Sequence, residues 1–154
     1  MIIDESTDDI DQMIALYGQD ILESPGMQLE KTFRQHGKQS VYAHSYQVAR
    51  MCLILAKRFH GKVDKRSLVR GALLHDYFLY DWHIPDKSHN LHGVTHAGMA
   101  LQNALRDFEL NEIEQDMIRK HMFPLNPVPP KYRESWILCI ADKICASKET
   151  VIRH

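Results

Sequence analysis

A basic excess, paired cysteines and long apolar runs are all missing from this chain, and each absence removes a class of function. Lys and Arg number 19 against 20 Asp and Glu, for a formal net charge of -1. That balance supplies no positive field for nucleic acid or for an anionic membrane surface. The 3 cysteines, Cys52, Cys139 and Cys145, are odd in number and lack paired spacing. Each lies in an apolar helical stretch, where a free thiol packs as a small hydrophobe, and this suits a reducing compartment. No run approaches the ~18 apolar residues of a membrane span, and Met1 to Ser6 has neither a basic nor an apolar leader character. The expectation is a cytoplasmic protein with no nucleic-acid and no membrane partner.

Period-2 runs of β-branched residues, internal repeats and linker-like stretches are also lacking. With 154 residues, 44% hydrophobic and 25% charged, the chain fits one all-α domain over residues 1–154, a compact multi-helix bundle. Helical spacing begins at Thr7, with Ile10, Met13, Ile14, Tyr17 and Ile21 on one stripe, and Ser24-Pro25-Gly26 ends it. A short second helix runs to about His36 and stops at Gly37. Ser40 can cap a third helix through Val41, His44, Val48, Met51, Leu55 and Phe59, with Gly61 as its stop. Asp64 can cap a fourth helix through Leu68, Ala72 and His75, after which the pattern dissolves between Asp81 and Leu91. Thr95 can cap a fifth bearing the apolar Ala97, Ala100, Leu101, Ala104 and Leu105, and Asn111 with Glu114 reads as a capping box for a sixth that halts before Pro124. Pro127, Pro129 and Pro130 stiffen a connector into an apolar last helix from about Tyr132 to Ile152.

Histidine is the abundant exception, at 10 residues. Its informative members sit among apolar neighbours three and four residues away, on the same helix face. His44 lies between Val41 and Val48, His75 among Ala72, Phe78 and Leu79, and His121 among Met117, Ile118 and Leu125. Asp142 has Leu138, Cys139, Cys145 and Ala146 on its face, and Asp76 has Ala72, Leu73, Leu79 and Tyr80. A carboxylate inside an apolar stripe must be paired or bound to a metal, because burying it alone costs several kcal/mol. One such residue is ordinarily a hydrogen-bonded core group. Here they recur on separate helices, and every one is a competent ligand for a first-row metal, so a shared centre makes all of them favourable together.

The order His44, His75-Asp76, His96, His121, Asp142 resembles the HD-domain superfamily, a helical fold of metal-dependent phosphohydrolases. The segments that carry the resemblance are Val41-Tyr42-Ala43-His44-Ser45, Gly71-Ala72-Leu73-Leu74-His75-Asp76, Ile118-Arg119-Lys120-His121 and Ile140-Ala141-Asp142-Lys143. The resemblance implies His44, His75, Asp76 and Asp142 as ligands of a first metal, with Asp76 bridging to a second held by His121 and one more histidine. For that place His96, at the start of a helix and followed by Ala97, Gly98 and Ala100, is preferred over His92. The Leu91-His92-Gly93 segment is similar to the diadenosine-tetraphosphate hydrolase branch, which keeps His92 as the alternative.

Many members of that superfamily continue the dipeptide as His-Asp-x-x-Lys, but here Leu79 holds the lysine position. Protonation of a leaving group then falls to the loop from Asp81 to His92, with His83, Lys87, His89 and His92 as candidates and Asp76 at the reacting centre. The implied cofactors are one or two divalent ions, iron, manganese or similar. The implied partner is a small phosphorylated substrate, on a nucleotide or other metabolite, and a homodimer stays open. Two other functions fit the same residues: an HD-fold di-iron oxygenase, and a non-catalytic nucleotide-binding regulatory module.

Overall fold

The computed structural model describes residues 5–32, 39–59, 61–77 and 92–152, with side chains described for 9–32, 39–59, 61–77 and 97–148. These residues form helices α1 (Glu5–Leu22), α2 (Pro25–Leu29), α3 (Val41–Ala56), α4 (Lys65–Leu74), α5 (His92–Asp107), α6 (Glu112–Lys120) and α7 (Arg133–Ile152). A 3-10 turn, Glu30–Thr32, follows α2 directly. No strand occurs among the described residues, and the fold is all-α. None of these helices is long and apolar enough to cross a membrane. His36, Gly37, His60, the segment from Phe78 to Leu91 and His154 lie outside the described residues.

Local capping sets the starts of α2, α3, α4 and α6. The Ser40 hydroxyl accepts from the Ala43 amide, and the Asp64 carboxylate from the Ser67 amide. At α6 Asn111 accepts from the Glu114 amide while the Glu114 side chain accepts from the Asn111 amide, a complete capping box. Other ends differ from the periodic reading. α3 stops at Ala56, because Lys57, Arg58 and Phe59 turn back on the carbonyls of Ile54, Leu55 and Ala56, three residues away each time. α5 starts at His92, before Thr95. Gly93 is tolerated inside its first turn, at a propensity cost of about 1 kcal/mol against alanine. The His92 backbone is therefore helical, a correction to its assignment to a loop.

α4 is the axis of the bundle. Every residue from Ser67 to Leu74 is buried, and the helix packs against α1, α3, α5, α6 and α7. Its apolar residues Leu68, Leu73 and Leu74 meet Ile14 and Ile21 of α1, Val48 and Cys52 of α3, Met117 and Ile118 of α6, and Ile137 and Leu138 of α7 in one core cluster. Close approach of α4 to α6 requires glycine at 71, since a Cβ there would stand 2.5 Å from the Met117 sulfur and 3.1 Å from its Cβ. Polar ties fix the outer helices around this axis. Arg70 holds Asp20 of α1 through two hydrogen bonds of 2.7 and 3.1 Å, and Glu134 of α7 accepts from the Asp64 amide at 2.7 Å. Asp116 accepts from the Lys131 amide and the Ser135 hydroxyl at 2.9 and 2.6 Å, joining the proline-rich connector to α6 and α7. The result is a rigid frame in which one end of α4 points at α3, α6 and α7 together.

Candidate metal centre

Four elements bring their polar side chains to that end of α4. His44, in the first turn of α3, is fully buried, and its Nε2 lies 2.9 Å from Asp142 Oδ1 on α7. His75 Nε2 lies 3.2 Å from the same oxygen. Asp76 presents one oxygen to each side: Oδ2 is 3.5 Å from His44 Nε2 and 3.3 Å from His75 Nε2, whereas Oδ1 is 3.6 Å from His121 Nε2. The His75 ring stands between the others, 5.4 Å from His44 and 4.9 Å from His121 between centroids. Asp142 closes the group at its rim, with 17% of its side chain exposed.

His75 and His121 reach this place by one shared device. Each is the residue at which its helix ends, α4 and α6 respectively. The Nδ1 of His75 lies 2.6 Å from the Ala72 carbonyl, and that of His121 lies 2.8 Å from the Ile118 carbonyl. A carbonyl only accepts, so Nδ1 carries a proton in both rings, and each ring can offer an Nε2 lone pair to the cluster only when that nitrogen is unprotonated. Such a backbone bond fixes tautomer and ring orientation in metal-binding histidines. The device also corrects the placement of Asp76 on a helix face: α4 ends at Leu74, and Asp76 lies in the turn beyond it. Its burial, at 2% exposed, comes from that turn folding back onto the bundle.

Electrostatics make the group self-consistent without an ion. Burial opposes a charge on His75, but Asp76 and Asp142 outweigh it and raise its pKa well above the usual value. Burial likewise opposes charge on Asp142, and His75 and His44 overcome it, holding that carboxyl well below the usual range. The raised His75 contributes stability that is fully present below an unfolded pKa of about 6.5 and fades as pH rises through its folded value. The depressed Asp142 contributes stability present above about 3.9 and lost as pH falls through its folded value. A divalent ion must displace the His75 proton, so binding strengthens as pH rises. The increase in melting temperature caused by added Mn2+ is therefore expected to grow between about pH 6 and pH 8. Melts with and without the ion across that range measure it, and a pH-independent increase contradicts the argument.

Two groups of ligand atoms among the described residues could hold a metal ion: His44, His75 and Asp142, and His75, Asp76 and His121. Within each the donor atoms lie within 4.8 Å of one another. The contacts of 2.9 to 3.6 Å among them match the separations of about 3.0–3.4 Å between neighbouring donors that each stand about 2.1 Å from one ion. Imidazole and carboxylate donors, with no thiolate among them, suit a borderline or hard divalent metal.

The structure thus brings together five of the six residues expected from the sequence as ligands. The sixth, His96, lies one turn from His92 within α5, and the side chains of both are outside the described residues, as are His83 and Lys87 altogether. Lys120 and Lys143 stand apart, the first paired with Asp116 at 2.8 Å and the second donating to the Phe123 carbonyl at 2.6 Å. Trp136 packs edge-on against Phe123 and is 39% exposed. All three cysteines are buried, and none forms a disulfide among the described residues.

One residue that the sequence did not single out belongs to this neighbourhood. Glu30, on the 3-10 turn, is 0% exposed, and neither carboxyl oxygen has a hydrogen-bond partner among the described residues. Leaving a buried polar group unsatisfied costs about 1–3 kcal/mol. Burial first, and then the charge of Asp76, raise its pKa well above the ordinary carboxylate range, with His75 opposing.

No curated protein and no solved structure matches the chain. A family model described as HD domain does match, over residues 41–147, from the start of α3 to the last quarter of α7. That span contains the whole His44, His75, Asp76, His121 and Asp142 constellation, in the order in which the geometry assembles it. With the sequence, the all-α bundle and the His/Asp cluster in agreement, the chain belongs to the HD domain family.

Proposed function

We propose that this chain is a metal-dependent phosphohydrolase acting on a nucleotide or another small phosphorylated metabolite. The observation that carries the reading is the two-sided arrangement of Asp76, one oxygen toward His44 and His75 and the other toward His121. Such a carboxylate suits two neighbouring ions. When bound, divalent ions supply a water of lowered pKa, near 7, and positive charge for phosphate oxygens. His75 and His121 keep their Nε2 atoms aimed through their Nδ1 bonds, and Asp142 supplies the charge that makes the His44 side favourable. His44, His75 and His121 are buried in the surrounding bundle, where low dielectric strengthens these contacts. We further assign His96 to the second ion, and His92, His83 and Lys87 to proton delivery to the leaving group, on sequence grounds.

Metal analysis of the purified protein, followed by a screen of phosphorylated metabolites for released phosphate, tests the reading. Stoichiometric metal with release from a phosphomonoester or phosphoanhydride supports it. Metal-dependent oxygen uptake without phosphate release would favour the di-iron oxygenase, and nucleotide binding without turnover would favour a regulatory module.

The histidine assignment has its own test. His96→Ala is expected to lose the second ion, whereas His92→Ala keeps both and slows turnover by ~10²–10⁴-fold, the usual worth of a general acid. Metal stoichiometry of the two variants decides, and loss of an ion in His92→Ala alone reverses the assignment.

A further inference from the structure

The carboxyl of Glu30 has no structural task that the described residues reveal. The 3-10 turn buries it at 0% exposed while the adjacent Leu29 is 47% exposed, the reverse of what hydrophobic packing favours. The turn is held firmly. Ser24 caps α2 by accepting from the Met27 amide, and Met27 is a fully buried anchor. Gly26 lies so close to Tyr77, the residue after Asp76, that a Cβ would fall 1.8 Å from its hydroxyl oxygen. Tyr77 is fixed in turn by its hydroxyl donating to Asp107 at 2.6 Å and its carbonyl accepting from Asn103 at 3.1 Å. The turn carrying Glu30 is thereby clamped beside the turn carrying His75 and Asp76, and it packs on α3, which carries His44.

We propose that Glu30 serves the metal centre from outside the set of ligands, its carboxyl oxygen accepting a hydrogen bond from water carried by an ion at Asp76. This rests on the metal reading above. The argument is one of complementarity. With its turn clamped beside the one carrying Asp76, Glu30 is a second carboxyl in the field of Asp76, which disfavours its charge as burial does. A divalent cation between them reverses the sign of that interaction. Its coordinated water would also be a strong donor, suited to a buried group whose two oxygens have no hydrogen-bond partner among the described residues. An apolar side chain of similar size would pack the same space without the desolvation cost, so the carboxyl earns its place only when such a donor is present.

The test uses the full-length protein with Mn2+, with affinity measured by chelator competition and melting temperature measured metal-free. Partners that orient a metal's surroundings typically contribute 10–100-fold in affinity. Glu30→Met is expected to weaken Mn2+ binding by that order, and Glu30→Gln, which keeps an acceptor oxygen, by less. The metal-free Glu30→Met protein is expected to melt at or above the wild-type temperature, because an unsatisfied carboxyl has been replaced by apolar volume. Wild-type affinity in both variants overturns the proposal whatever happens to turnover, since a carboxyl that meets only the substrate leaves the metal constant unchanged. It is equally overturned if Glu30→Met melts lower and Glu30→Gln binds as wild type, which marks a structural carboxyl. Failure of the wild type itself to bind Mn2+, or Fe2+ under anaerobic conditions, instead sinks the metal reading and the role of Glu30 with it.

Discussion

Asp142→Ala is expected to lose metal and stability together. Its Oδ1 is shared by His44 Nε2 at 2.9 Å and His75 Nε2 at 3.2 Å, so one substitution strips both rings of a partner. His75 is fully buried, and Asp76 and Asp142 raise its pKa against that burial, so the change removes one of its two leading counter-charges. Breaking a buried pair from one side costs about 3–5 kcal/mol. In a chain of this size that lowers the melting temperature by roughly 10 °C. The loss is expected to be greatest at mildly acid pH, where His75 is charged, and smaller once alkaline conditions neutralise the ring. Asp142→Asn separates the two consequences: it keeps an acceptor for the histidines and should recover part of the stability while still binding metal poorly. Metal content and melting curves of both variants check this, and full metal content in Asp142→Ala would show that the last ligand has been placed wrongly.

The helices were legible where local chemistry announces them. Ser40, Asp64 and the Asn111–Glu114 pair all cap in the structure as their side chains require. Ends set by tertiary contacts were not. Periodicity ran α3 on to Phe59, but Phe59 is 38% exposed and the chain has already turned. The same reading placed Leu105 on the core stripe of α5, where Ala97, Ala100, Leu101 and Ala104 are buried and Leu105 is 45% exposed. The α4 end is more instructive. A face argument treats His75 as one more interior position, yet its ring takes the Ala72 carbonyl and the helix proper stops one residue earlier.

The site itself was legible because its residues violate hydrophobic patterning. Charged or polar side chains flanked by apolar neighbours mark His44, His121 and Asp142 directly. Asp76 was marked by an argument that assumed a helix extending past it, and its burial in a turn has a different origin. Glu30 was invisible for the opposite reason: within Leu29-Glu30-Lys31-Thr32 it reads as an ordinary surface residue, and no spacing shows that the turn will expose the leucine and bury the acid. Tertiary contacts decide that, among them the clamp between Gly26 and Tyr77, which lie far apart in the sequence.

Asp76→Asn is expected to be the most damaging change to turnover, and comparison with His121→Ala shows why. Asparagine keeps the shape of the side chain but removes its charge, and its amide nitrogen turns one of two acceptor positions into a donor. One face of Asp76 meets His44 and His75 and the other meets His121, so whichever way the amide is turned, one side of the centre meets a donor where an ion needs a lone pair. His121→Ala removes a donor from one side only and leaves the His44, His75 and Asp142 group complete. The expected result is about one ion per chain with residual activity for His121→Ala. For Asp76→Asn, metal should be depleted from both positions and kcat should fall by at least ~10²–10³-fold, the loss typical of removing one preorganised electrostatic group. Elemental analysis and steady-state kinetics on the same preparations make the comparison, with circular dichroism to confirm that both variants are folded. Two retained ions and near-native kcat in Asp76→Asn would show that the carboxylate does not bridge and that its two-sided geometry serves only the packing of the three histidines.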